Sequence, residues 1–115
     1  MVVYLMPDEQ VDRLFQALAD STRRDILERS ISQEQSVSSL AAHYDMSFAA
    51  VQKHVAVLER AELVSKERRG REQIVRGHEP TLRRALRLLE AFEELWVQRA
   101  TQIADVLAGE KGVTS

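Results

Sequence analysis

Apolar side chains recur along most of this chain at spacings of three and four, with one stretch where the pattern shortens. Val11, Leu14, Phe15 and Leu18 fall at i, i+3, i+4 and i+7, which predicts a first helix over residues 8–19. Asp20-Ser21-Thr22 offers capping side chains for a second helix over 22–30, with Ile26 and Leu27 facing inward. Ser36 caps a third helix, in which Leu40, Ala41 and Tyr44 face inward; it stops at Asp45, an acid that tolerates a left-handed turn. Ser47 caps a fourth, along which Phe48, Val51, Val55 and Leu58 line one face.

From Leu63 the helical spacing is lost. Residues 63–68 and 73–76 are short segments flanking Arg69-Gly70-Arg71, a hairpin pattern with glycine at the bend. After Pro80 a single long helix runs to about residue 108: Leu82, Leu86, Leu89, Phe92, Trp96, Ile103 and Leu107 keep helical spacing. Gly109 is expected to end it, leaving residues 110–115 as a disordered tail. The fold class is therefore mainly α: four helices, a two-stranded β-hairpin wing and a long C-terminal helix, in one domain over residues 1–109.

Composition narrows the function. The chain has 115 residues, enough for one domain, and no cysteine, which removes disulfides, thiolate metal sites and cysteine nucleophiles. No apolar run is long enough to span a membrane, and the apolar start at residues 1–7 lacks a basic leader, so a cytoplasmic location is expected. The acids Glu90, Glu93 and Glu94 read as a solvated helix face. With no Ser/His/Asp set and no phosphate-cradling glycine loop, catalysis and a resident cofactor are not expected. The net charge of −2 argues against nucleic acid, but its distribution does not: residues 47–76 hold seven lysines and arginines against four acids.

Residues 36–61 have helix-turn-helix spacing. Ala41 is small where two helices must cross, Asp45 stands at the turn, Met46 plugs it, and Val51 points inward. The outer face of the second helix then presents Ser47, Ala49, Ala50, Gln52, Lys53 and part of His54, and Phe48, if exposed, joins them as a contact to a base methyl. Gln52 can pair with adenine, Lys53 can reach guanine or phosphate, and the alanines let the helix approach a base edge. In the wing, residues 63–78, Arg68, Arg69 and Arg71 cluster at the tip, where guanidiniums can hold phosphate or enter a minor groove. The expected partner is double-stranded DNA.

These motifs together resemble the ArsR/SmtB family of bacterial winged-helix repressors. The resemblance runs over residues 14–78 through LADSTRRDIL (18–27), MSFAAVQKHVAVL (46–58), AELV (61–64) and Arg69-Gly70-Arg71. One departure is Glu62, where the family usually has glycine, implying a turn built differently before the wing. The resemblance implies a homodimer joined by its first and last helices, with Leu14, Leu89, Phe92, Trp96 and Ile103 at the interface. The long apolar stripe over residues 80–108 agrees independently. Many relatives sense metals, but here Ser36-Val37-Ser38-Ser39-Leu40 replaces the cysteine site of the third helix, and the last helix has no histidine. His43, His54 and His78 share no face, so the chain reads as a metal-independent member whose signal no motif identifies: a small molecule, a protein, or nothing but its own concentration. The competing reading is a winged-helix protein–protein interaction module, with Phe48 as its one aromatic anchor.

Overall fold

The computed structural model describes residues 6–113, with side chains through Gly109; the N-terminal residues 1–5, and with them most of the absent-leader reading, lie outside the described residues. Helix α1 (Asp8–Leu18) starts after an extended Pro7 and carries Asp8 and Glu9 in its first turn, where carboxylates suit the helix dipole. Helix α2 (Ser21–Ser32) is capped by Asp20, whose carboxylate accepts from the Arg23 amide at 3.0 Å. It runs slightly past the expected end and leads into β1 (Gln35–Ser36), a strand too short to leave a periodicity in the sequence.

Ser36 and Ser47 cap helices α3 (Val37–Ala41) and α4 (Phe48–Arg60), each hydroxyl accepting from the amide three residues on. Helix α3 ends at Ala41 rather than reaching Asp45. Two successive tight turns follow, His43 N–H to Leu40 O at 3.0 Å and Tyr44 N–H to Ala41 O at 3.3 Å. That route needs no left-handed residue, and Asp45 is not one: among the described residues, Glu62 at φ 60° is the only non-glycine with positive φ.

Glu62 closes α4. Its N–H reaches Glu59 O at 2.9 Å, and the Leu63 N–H reaches back to Leu58 O at 3.0 Å. This is a Schellman ending, with buried Leu58 and Leu63 at its two ends. The turn is thus the one a glycine would make, occupied by glutamate, which corrects the expectation of a different construction. The Glu62 carboxylate accepts from the buried Gln10 amide on α1, a contact glycine could not offer.

The wing is β2 (Val64–Arg69) and β3 (Glu72–Gly77), paired in register from Val64↔Gly77 to Arg69↔Glu72. Gly70, at φ 66°, is the first of two loop residues, as a type II′ hairpin turn requires. Strand β1 adds to the other edge of β3, giving the order β1-β3-β2. At Gly77 a side chain would meet α2, since a Cβ there would lie 2.6 Å from Ile31 Cγ1.

The core joins Leu14, Ile26, Leu40, Val51, Val55, Leu58, Leu63 and Val75 from α1 to α4 and the sheet. Leu14 is 1 % exposed, so it belongs to the chain's own interior and offers no surface to a partner; the exposed apolar residue on α1 is Phe15. Among its described side chains, helix α5 (Glu79–Val113) buries only Thr81 and Ala85, at its base. Every described side chain from Phe92 onward is exposed, and the radius of gyration is 20.8 Å against ~13 Å for a compact chain of about this length. The helix passes through Gly109, because an interior glycine costs a helix only ~1 kcal/mol and does not break it. The expected tail is therefore helical through Val113; Thr114 and Ser115 lie outside the described residues.

Candidate nucleic-acid interface

The short α3 and the turn at residues 42–46 set the orientation of α4. Tyr44 anchors that turn: its hydroxyl donates to Asp25 Oδ2 at 2.5 Å, and Arg29 donates to the same oxygen at 2.9 Å. The two donors hold the Asp25 carboxyl below its usual range, Tyr44 first and Arg29 second. Burial, then the Asp25 bond, pushes the Tyr44 hydroxyl up to about 12.

With Val51, Val55 and Leu58 buried, the opposite face of α4 is presented outward. Ser47, Phe48, Ala49, Gln52 and Lys53 are exposed, and Ala50 is half-buried. Among the described residues, neither the Gln52 amide nor the Lys53 ammonium has a hydrogen-bond or ion-pair partner. Both are thus available to a ligand. Phe48 was expected on the inward stripe but is 47 % exposed. It is the first residue of α4, and α3 has already ended before it could cover that turn. His54 is also placed differently. It is half-buried and turned to α2, with Nδ1 3.4 Å from Arg23 Nη1, so it packs between helices rather than on the outer face.

The wing arginines separate by strand alternation. Val64, Lys66 and Arg68 share one face of β2; Val64 is buried, and Lys66 pairs with Glu59 of α4 at 3.5 Å. Arg68 therefore extends the face that packs on α4. Arg69 projects from the other face and is held there by Glu34 at 2.7 Å and Glu67 at 2.8 Å. The pair holds the Glu34 carboxyl down and the Arg69 guanidinium up, each through its hydrogen bond to the other. Arg69 is thus engaged within the chain, unlike its expected role at the tip, whereas Arg68 and Arg71 are exposed and make no ion pair among the described residues. Spacing alone did not single out Arg60, although it lies seven residues beyond Lys53 on the same stripe of α4. Arg13 and Arg23 approach that end of α4 only through tertiary packing.

The histidines remain apart on the turn after α3, on α4 and after β3, and no group of three or more His, Cys, Asp or Glu among the described residues is arranged to hold a metal. No described helix is long and apolar enough to cross a membrane.

Comparison with known proteins agrees with this architecture. Residues 20–66 match the bacterial regulatory protein arsR family. The HTH-type transcriptional regulator Rv2034 of Mycobacterium tuberculosis is 35 % identical over 99 residues, covering 86 % of this chain and 90 % of that protein. An ArsR-like transcriptional regulator from Rhodococcus sp. RHA1 superposes with a TM-score of 0.79 at 32 % identity, over 88 % of this chain and 93 % of that one. The homodimeric winged helix-turn-helix DNA-binding domain of a possible ArsR-family regulator from Mycobacterium bovis gives a TM-score of 0.61 at 28 % identity, over 83 % and 94 %. These relatives are transcriptional regulators. The chain belongs to the ArsR family of bacterial regulatory proteins, as a transcriptional regulator with a winged helix-turn-helix DNA-binding domain.

Proposed function

We propose that the chain is a homodimeric repressor that binds a palindromic operator and is not controlled by metal. The observation that carries this reading is the outward face of α4, where Gln52 and Lys53 stand free beside small Ala49 and Ala50. Gln52 and Lys53 read base edges in the major groove, Ser47 and the first amides of α4 meet a phosphate, and Arg68 and Arg71 meet the backbone beside the groove. Phe48 lies at the edge of this surface and packs on a base methyl. Repression follows from occlusion of the promoter in the cytoplasm.

Dimerisation is supported by α5. Leu89, Trp96 and Ile103 recur every seven residues, Phe92 and Val106 fill the offset positions, and all are exposed. Arg99 occupies one offset position. Leu89, Phe92, Trp96 and Ile103 join across the two-fold axis, with Phe15 of α1 in place of Leu14. The homodimeric M. bovis domain supports the same assembly. Metal independence rests on the missing thiolates and scattered histidines; the signal is then a small molecule, a protein or the chain's own concentration.

The deciding experiment is binding to the DNA upstream of its own coding region by the parent and by a Gln52→Ala/Lys53→Ala variant. Sequence-specific binding is expected to disappear in the variant while the dimer persists. Equal binding by both would refute the assignment. The exposed Phe48 favours one other reading, a protein-binding winged helix; in that case Phe48→Ala abolishes partner capture and the parent shows no operator preference.

A further inference from the structure

Three arginines from three helices line one cleft of about 170 Å³: Arg13 of α1, Arg23 of α2 and Arg60 of α4, with Gln16 and Val57 completing the wall. Among the described residues, no carboxylate lines it. Arg23 is fixed in place. Its Nε donates to Ala17 O at 2.8 Å, its Nη2 donates to Gln16 O at 3.0 Å, and its side chain is 16 % exposed. Asp20, already the cap of α2, pairs with Arg23 at 3.9 Å from Nη1. Arg13 and Arg60 are exposed and make no ion pair among the described residues. The cleft therefore joins one hydrogen-bonded, largely buried arginine to two exposed ones, with Gln16 beside them.

We infer that this cleft is a phosphate site, distinct from the base-reading residues and from the wing. Guanidiniums present paired N–H donors that match the oxygens of a tetrahedral anion, and several converging charges favour a dianion over a single carboxylate. The position supports it. Arg60 lies on the outward stripe of α4 two turns beyond Lys53, so the cleft continues the proposed DNA face onto α1. It also stays open in a dimer, because Phe15 points roughly 160° around α1 from Arg13 at 100° per residue. The phosphate is supplied either by DNA backbone flanking the half-site or by a free phosphorylated small molecule. The first source rests on the operator binding proposed above; the second does not.

The test uses the full chain and an Arg13→Ala/Arg60→Ala variant, with Arg83→Ala/Arg87→Ala on α5 as a control of equal charge change. DNA affinity is measured against salt. Backbone amide spectra are recorded while inorganic phosphate, then pyrophosphate, is added. If DNA is the source, the salt slope falls by about 2 in the cleft variant at ~0.9 per phosphate, with base preference retained and the control unchanged. If a free phosphate is the source, amides at residues 13–23 and 57–60 shift in the parent and not in the cleft variant. The inference fails if neither signal appears, or if the control lowers the slope as much as the cleft variant. A parent that binds no DNA would sink the operator reading, yet the phosphate titration would still judge the cleft.

Discussion

The Tyr44 hydroxyl donates to Asp25 at 2.5 Å, fastening the turn of the helix-turn-helix to the helix behind it. This bond between half-buried groups helps set the angle at which α4 leaves the body. It also ties that angle to protonation of a carboxylate held below its usual range.

Tyr44→Phe should lower stability by ~1 kcal/mol, less than the full value of a charged hydrogen bond because the Asp25 side chain is 42 % exposed. The pH dependence follows from the depressed folded-state pKa. The Asp25 contribution is fully present above its unfolded value of roughly 3.9 and is lost as pH falls through the folded value. Thermal melts taken from neutral pH down through and below the carboxylate range should show the parent and variant converging as Asp25 is protonated in the folded state. Parallel curves throughout would mean that Asp25 is not the acceptor that matters. At the alkaline end, Tyr44 should ionise only near pH 12 by absorbance titration.

Glu62 holds a left-handed backbone at φ 60°, which is strained for any residue with a Cβ. Glu62→Gly and Glu62→Ala both remove the bond to Gln10, but only alanine keeps the strain. Urea unfolding should therefore place the glycine variant ~1 kcal/mol above the alanine variant. Equal stabilities would show that the Schellman ending is not retained.

The two neighbouring wing arginines should behave differently. Arg68→Ala is expected to weaken DNA binding across all sequences and reduce the salt slope by about 1. Arg69 is already held by Glu34 and Glu67, so Arg69→Ala should change the slope far less. The reverse order would mean that DNA displaces both carboxylates.

Trp96 is 73 % exposed and Leu14 is 1 % exposed, and their substitutions should separate assembly from folding. Trp96→Glu is expected to give a folded monomer in sedimentation, with operator affinity reduced about a hundredfold or more through lost bivalency. Leu14→Ala should instead cost ~2–5 kcal/mol of stability by leaving a cavity. A Trp96→Glu dimer of unchanged affinity would refute the α5 interface.

Spacing and local chemistry sufficed for much of this molecule. Ser36, Ser47 and Asp20 cap helices because a short polar side chain reaches its own backbone, a matter of three residues. The stripe from Leu82 to Leu107 and the hairpin at Gly70 are likewise periodic or local, as is the outward placement of Gln52 and Lys53 relative to Val51 and Val55. What needed the tertiary structure is what distant segments do to one another. Leu14 and Phe15 are equivalent in a helical pattern, and packing against the body made one core and the other surface. Glu34 lies 35 residues before Arg69, so the sequence could not reveal that the second wing arginine is already engaged. Nor could it show that α4 continues, through Arg60, into a cleft that Arg13 and Arg23 complete. Capping and periodicity act within a few residues along the chain, whereas charge pairing and burial act through space, and only the folded chain determines which residues come within their reach.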